Sequence, residues 1–167
     1  MKRPIAIRCL HPRLRLDRRA IVRAFRTLDR NRVALSTPDS GLGADGELSL
    51  VFLTDAALAR LHGDFLADPS PTDVITFPGP PPPGPAGEIC VSADAARRRR
   101  PRGDWSAELT LYLVHGWLHL AGHDDRAPVP RRAMRRAEAV AMAALRREGA
   151  VPPFSFQPSS PRNRRLA

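Results

Sequence analysis

His115 and His119 lie four residues apart in S-A-E-L-T-L-Y-L-V-H-G-W-L-H-L-A-G-H-D-D, the stretch from Ser106 to Asp125. On a helix that spacing sets two imidazoles about 40° apart around the axis, stacked on one side, so both can converge on one point. Gly122 follows. Glycine readily takes the left-handed conformation that ends a helix and turns the chain back. Had the helix continued, Asp125 would lie about 240° round from His119 and could share no ligand with it. With the turn, His115, His119 and Asp125 read as three metal ligands in the pattern H-x3-H-x5-D. His123 competes for the third place, since an unbroken helix would set it four residues after His119 on the same face; a helix stop at Gly122 argues against it.

Three protein ligands leave a position open, the arrangement of a catalytic zinc that acidifies water and polarises a substrate oxygen. Two histidines and a carboxylate also suit non-haem iron, so ligand type alone leaves the metal open. Metzincin peptidases place a glutamate base directly after the first histidine, in H-E-x-x-H. Gly116 occupies that position here, so peptidase chemistry of that kind lacks its base.

The elements that must position these side chains follow from periodicity. Leu109, Tyr112, Leu113 and Leu120, with the small Gly116 among them, form the buried stripe of the metal helix, which Asp104 or Ser106 can cap. Pro4 to Cys9 reads as a first strand, and Leu16 to Arg30 as an amphipathic helix capped by Asp17, with Ile21, Val22, Phe25 and Leu28 on its apolar face. Ser36 to Gly46 is a loop by composition. Glu47 to Thr54 has the apolar density of a central strand, and Asp55 to Leu66 returns to helical spacing. Thr72 to Phe77 and Gly87 to Ser92 are two further strands, joined as a hairpin by the proline-rich Pro78 to Ala86. Ala93 to Arg100 is a short helix, and Val129 to Glu148 a long one with Pro130 in its first turn. The fold class is α+β: a small mixed sheet of about four strands with packed helices and the metal site at the end of one of them.

At 167 residues the chain suits one domain, placed at 1–149, with 150–167 expected to be a disordered, basic, proline-rich tail without periodicity. Two cysteines, Cys9 and Cys90, make no disulfide framework, which points to a reducing cytoplasm. No apolar run is long enough for a membrane span, so no membrane partner is expected. Net charge is +10, almost all from arginine, with Lys2 the one lysine. A GC-rich coding bias yields the same composition, so the distribution says more than the total. Residues 1–35 carry net +9, 36–95 net −8 and 96–167 net +9. Regional basic character suits a protein that meets a polyanion such as RNA on one surface.

H-G-W-L-H-L-A-G-H-D-D from His115, P-T-D-V-I-T-F-P from Pro71 and G-E-I-C-V-S from Gly87 stand in the order in which they occur in one family. The chain resembles the YbeY family of zinc-dependent endoribonucleases, the rRNA maturation factors of bacteria. The resemblance implies a cytoplasmic hydrolase of ribosome biogenesis that matures the 16S rRNA 3′ end. Its implied partners are rRNA and the small ribosomal subunit, and its implied cofactor is one zinc per chain. There are two departures. The family's third histidine falls on Asp125, a ligand zinc also accepts. The family's asparagine, and the arginine four residues beyond it, fall on His62 and Leu66; leucine cannot hold a phosphate as that arginine would, and Arg126 or Arg60 would have to act from another position. Thr72 and Asp73 resemble cleft residues of the family, but a Thr-Asp turn before a strand has the same local chemistry, and no catalytic role is assigned to either. Attack by water or by the adjacent ribose 2′-OH stays open. The alternative is a zinc-stabilised RNA-binding assembly factor that does not cut.

Overall fold

A computed structural model describes residues 3–31, 46–68, 70–80 and 84–158. The four-stranded sheet is built from β1 (Ile5–Cys9), β3 (Leu48–Leu53), β4 (Val74–Pro78) and β5 (Gly87–Ser92) in the order β1-β3-β5-β4. The first three run parallel, and β4 closes one edge antiparallel to β5, with Val74 opposite Val91 and Pro78 opposite Gly87. The expected mixed sheet and the β4/β5 hairpin are both present. Proline at the last position of an edge strand costs no ladder bond in the interior.

Five helices pack on this sheet among the described residues: α1 (Arg18–Arg30), α2 (Asp55–Leu66), α3 (Ala93–Arg99), α4 (Trp105–Leu120) and α5 (Pro128–Arg147). Four begin on a side-chain cap. Asp17, Thr54, Ser92 and Asp104 each accept from the backbone N–H three residues on, satisfying a donor that the first turn leaves unpaired. α5 begins instead with proline in its first turn, where no N–H is needed.

The continuous apolar run of β3 is explained by burial on both faces. Leu48, Leu50 and Phe52 point into the main core with Ile89, Val91 and residues of α1, α4 and α5, while Val51 and Leu53 point to the other face with Ile75, Cys90 and Leu58 of α2. Gly116 lets α4 lie close to the sheet: a Cβ there would come 2.6 Å from Ile89 Cγ2 and 3.1 Å from Thr76 Cγ2.

One expectation is overturned. Residues 150–158 are not a structureless tail: β6 (Phe154–Phe156) pairs antiparallel with a short strand, β2 (Leu14–Leu16), and Ala150 and Phe154 are buried. The Phe154 ring lies 5.7 Å from that of Phe52 and 6.3 Å from that of Trp105, and its N–H donates to Ser106 Oγ at 3.2 Å. Two phenylalanines at strand spacing find a hydrophobic wall supplied by distant residues, a gain that no local periodicity reports. Residues 159–167 and the loop expected over 36–46, apart from Gly46, lie outside the described residues. Among the described residues no helix is long and apolar enough to cross a membrane.

Candidate metal centre

α4 carries both histidines and ends as the glycine predicts. The Gly122 N–H donates to the His119 carbonyl at 3.0 Å and the His123 N–H to the Leu118 carbonyl at 3.0 Å, with Gly122 at φ 88°. That paired closure of the last turn requires a left-handed residue at Gly122. The chain then swings back, and the structure brings His115, His119 and Asp125 together so that one ligand atom from each lies within 4.8 Å of the others.

The two Nε2 atoms are 2.9 Å apart; Asp125 Oδ2 is 3.6 Å from Nε2 of His115, and Oδ1 is 3.7 Å from Nε2 of His119. Nitrogen and oxygen ligands about 2.0–2.1 Å from a tetrahedral ion stand about 3.3–3.4 Å from each other, close to the mean of these three edges. The far side of each ring is also held. His115 Nδ1 meets Glu138 Oε1 at 2.6 Å and His119 Nδ1 meets the His123 carbonyl oxygen at 3.0 Å. Both acceptors put a proton on Nδ1, so the two Nε2 lone pairs face each other and the Asp125 carboxylate. Either a shared proton or a cation must lie among them. A carboxylate behind a ligating histidine is the usual support of a metal site.

Protonation differs between the rings. Burial opposes a charge on His115, yet the hydrogen bond and charge of Glu138, with Asp125 beyond, outweigh it and raise its pKa above the ordinary value. At His119 burial and the neighbouring His115 lower it. One ring of the pair takes the proton first, and that proton competes directly with any metal.

Asp125 is thus at the cluster, while His123 contributes its backbone carbonyl to His119. Glu138 is the side chain at the cluster that the linear pattern misses. It sits on α5, and its one signal is that it is the single acid among the arginines of residues 126–147. A cleft of about 320 Å³ opens beside the cluster, bounded by Thr76 and Pro78 of β4, His62 of α2, and His119, Asp125 and Arg126. His62 therefore occupies the cleft wall, and Leu66 is the final residue of the same helix. Of the two arginines considered as substitutes, Arg126 lines this cleft with its side chain 91% exposed. Arg60, exposed on α2, is not among the described residues that line it.

The α+β domain thus carries, at a helix end and beside an open cleft, a His/His/Asp cluster that could hold a metal ion. The family model for Endoribonuclease YbeY matches residues 17–146, and the chain belongs to the YbeY family. It is 43% identical over 102 residues to Endoribonuclease YbeY of Rhodopirellula baltica, a match covering 58% of this chain and 53% of that protein. The relative from Anaeromyxobacter dehalogenans is 42% identical over 120 residues, covering 63% of this chain and 62% of that one. The relative from Chlamydia pneumoniae is 39% identical over 115 residues, covering 63% and 73%. The match thus spans between half and two thirds of the first two relatives' length. A Thermotoga maritima protein solved in solution shares the fold at TM-score 0.51 and 18% identity, over 87% of this chain and 94% of that one.

Proposed function

We propose that the chain is a zinc-dependent endoribonuclease that cleaves single-stranded RNA in rRNA processing, with the 16S rRNA 3′ end as its target. The reading rests on one observation above the rest: in a member of the YbeY family, two imidazole Nε2 atoms and a carboxylate face one another across 2.9–3.7 Å beside an open cleft. His115, His119 and Asp125 would hold one zinc ion per chain, and two neutral imidazoles with a carboxylate are a donor set that zinc takes. Bound there, the ion supplies Lewis acidity to a water or a phosphate oxygen. The chain's own residues do the rest. Glu138 and the His123 carbonyl keep both Nδ1 protons in place so that both Nε2 lone pairs face the ion. Arg126, on the cleft wall, would neutralise a phosphate in the role that Leu66 cannot fill. The partners would be rRNA and the small ribosomal subunit, in the cytoplasm.

Leu66, where the family carries arginine, favours a second reading: a zinc-stabilised factor that binds RNA during subunit assembly without cutting it. Purified protein incubated with precursor rRNA separates the two. New 5′ and 3′ ends that disappear on chelation support the nuclease; retained RNA with no new ends, with metal present, supports the binding factor.

A further inference from the structure

The basic run Arg97–Arg100 closes α3 and enters the loop before α4. Three of its four guanidinium groups are engaged. Arg97 lies over the Phe156 ring at 5.0 Å, Arg98 pairs with Asp55, and Arg100 Nε donates to Glu108 Oε2 at 3.1 Å. Arg99 makes no hydrogen bond or ion pair among the described residues, and it lines a pocket of about 500 Å³ with Thr72, Asp73, Arg98 and Tyr112. Asp73 likewise has no side-chain hydrogen bond or ion pair among the described residues. The pocket therefore holds one cation and one carboxylate that form no ion pair with each other and that both act electrostatically on Tyr112 between them.

Its place is as telling as its content. Tyr112, His115 and His119 follow one face of α4 at i, i+3 and i+7, so the pocket lies about one helical turn before the metal cluster. On the opposite bank, the residues leading into β4 (Thr72, Asp73) line this pocket, and Thr76 and Pro78 farther along line the cleft beside Asp125. Pocket and cleft thus follow one another in the same direction along the edge strand and along α4, an order that suits a linear polymer.

We propose that this pocket is a ribonucleotide subsite for the strand whose reacting phosphate lies at the metal. Arg99 takes a backbone phosphate, and Asp73 accepts a hydrogen bond from a ribose 2′-OH. A guanidinium suits a phosphate oxygen pair, the carboxylate needs a donor that RNA has and DNA lacks, and the volume suits one nucleotide. The inference rests on the proposed RNA substrate.

The test is fluorescence anisotropy of the full chain with a short fluorescein-labelled oligouridylate in the presence of chelator, so that nothing is cut. Arg99→Ala should weaken binding about tenfold at low salt and lower the salt slope by about 0.7; Arg99→Lys should recover part of the affinity. Oligouridylates each carrying one neutral methylphosphonate linkage locate the contact: at one position the wild type loses about tenfold and Arg99→Ala loses nothing more. The oligodeoxyuridylate should bind the wild type more weakly than RNA, and Asp73→Ala, which removes the acceptor, should narrow that gap. Equal affinity of wild type and Arg99→Ala, or an equal loss in Arg19→Ala on the exposed side of α1, overturns the subsite alone. A wild type that binds no RNA overturns the substrate reading as well.

Discussion

Gly116→Ala sets two effects of opposite sign against each other. In an exposed helix the change would stabilise by about 1 kcal/mol, because glycine has the more mobile unfolded chain. Here the new Cβ would come 2.6 Å from Ile89 Cγ2 and 3.1 Å from Thr76 Cγ2, against about 3.5–4.0 Å for an unstrained carbon contact. Both neighbours sit on the sheet beneath α4, and Ile89 is fully buried, so one side must move by roughly 1 Å; overpacking of this kind costs about 1–3 kcal/mol. The balance is a net loss of about 0–2 kcal/mol. Because Gly116 follows His115 directly, the shift is carried into the cluster, which tolerates only about 0.5 Å, and zinc affinity should fall about tenfold. Urea unfolding of the metal-free protein and zinc competition against a chromophoric chelator read the two effects. In an Ile89→Ala background the alanine should cost less, since its main obstacle is gone. A Gly116→Ala protein that is stabilised by about 1 kcal/mol and binds zinc normally would show that α4 does not seat this closely on β4 and β5.

Asp125→Ala should lose most bound zinc while His123→Ala, whose contribution to His119 is a backbone carbonyl, keeps it; elemental analysis of the purified variants decides between them. Glu138→Ala should lower zinc affinity about 10–100-fold, with Glu138→Gln retaining part of it, and affinity unchanged in both would mean that His115 needs no support. Phe154→Ala removes a buried ring packed on Phe52 and Trp105 and should cost about 3–4 kcal/mol in urea unfolding; a cost below 1 kcal/mol would return residues 150–158 to the status of a tail. Asp55 gives a pH signature. Burial alone would raise its pKa, but the Arg98 guanidinium and the Ser92 hydroxyl outweigh it and hold the carboxyl below the usual value of about 3.9. Its contribution is therefore present above that value and lost as pH falls through the lower, folded pKa. Asp55→Asn should be less stable than wild type at neutral pH, with the difference closing only in strong acid; a difference that does not change with pH refutes the ionic role.

The parts of the site legible in the sequence are those set within a few residues. Side-chain caps at Asp17 and Asp104, the four-residue spacing of His115 and His119, and the left-handed turn at Gly122 that returns Asp125 are all local geometry. The hydrophobic pattern of β3 likewise marks a central strand, because burial on both faces removes alternation. What the tertiary structure alone decides lies farther apart along the chain. Glu138 reaches His115 from 23 residues away, β6 finds β2 at the opposite end of the sequence, and Arg99 meets Asp73 across a pocket only once α3 is packed against α4. Helical spacing and turn chemistry act over one or two turns of backbone, whereas burial of Phe154 and pairing of Glu138 draw their free energy from surfaces that exist only after the sheet and its helices have come together.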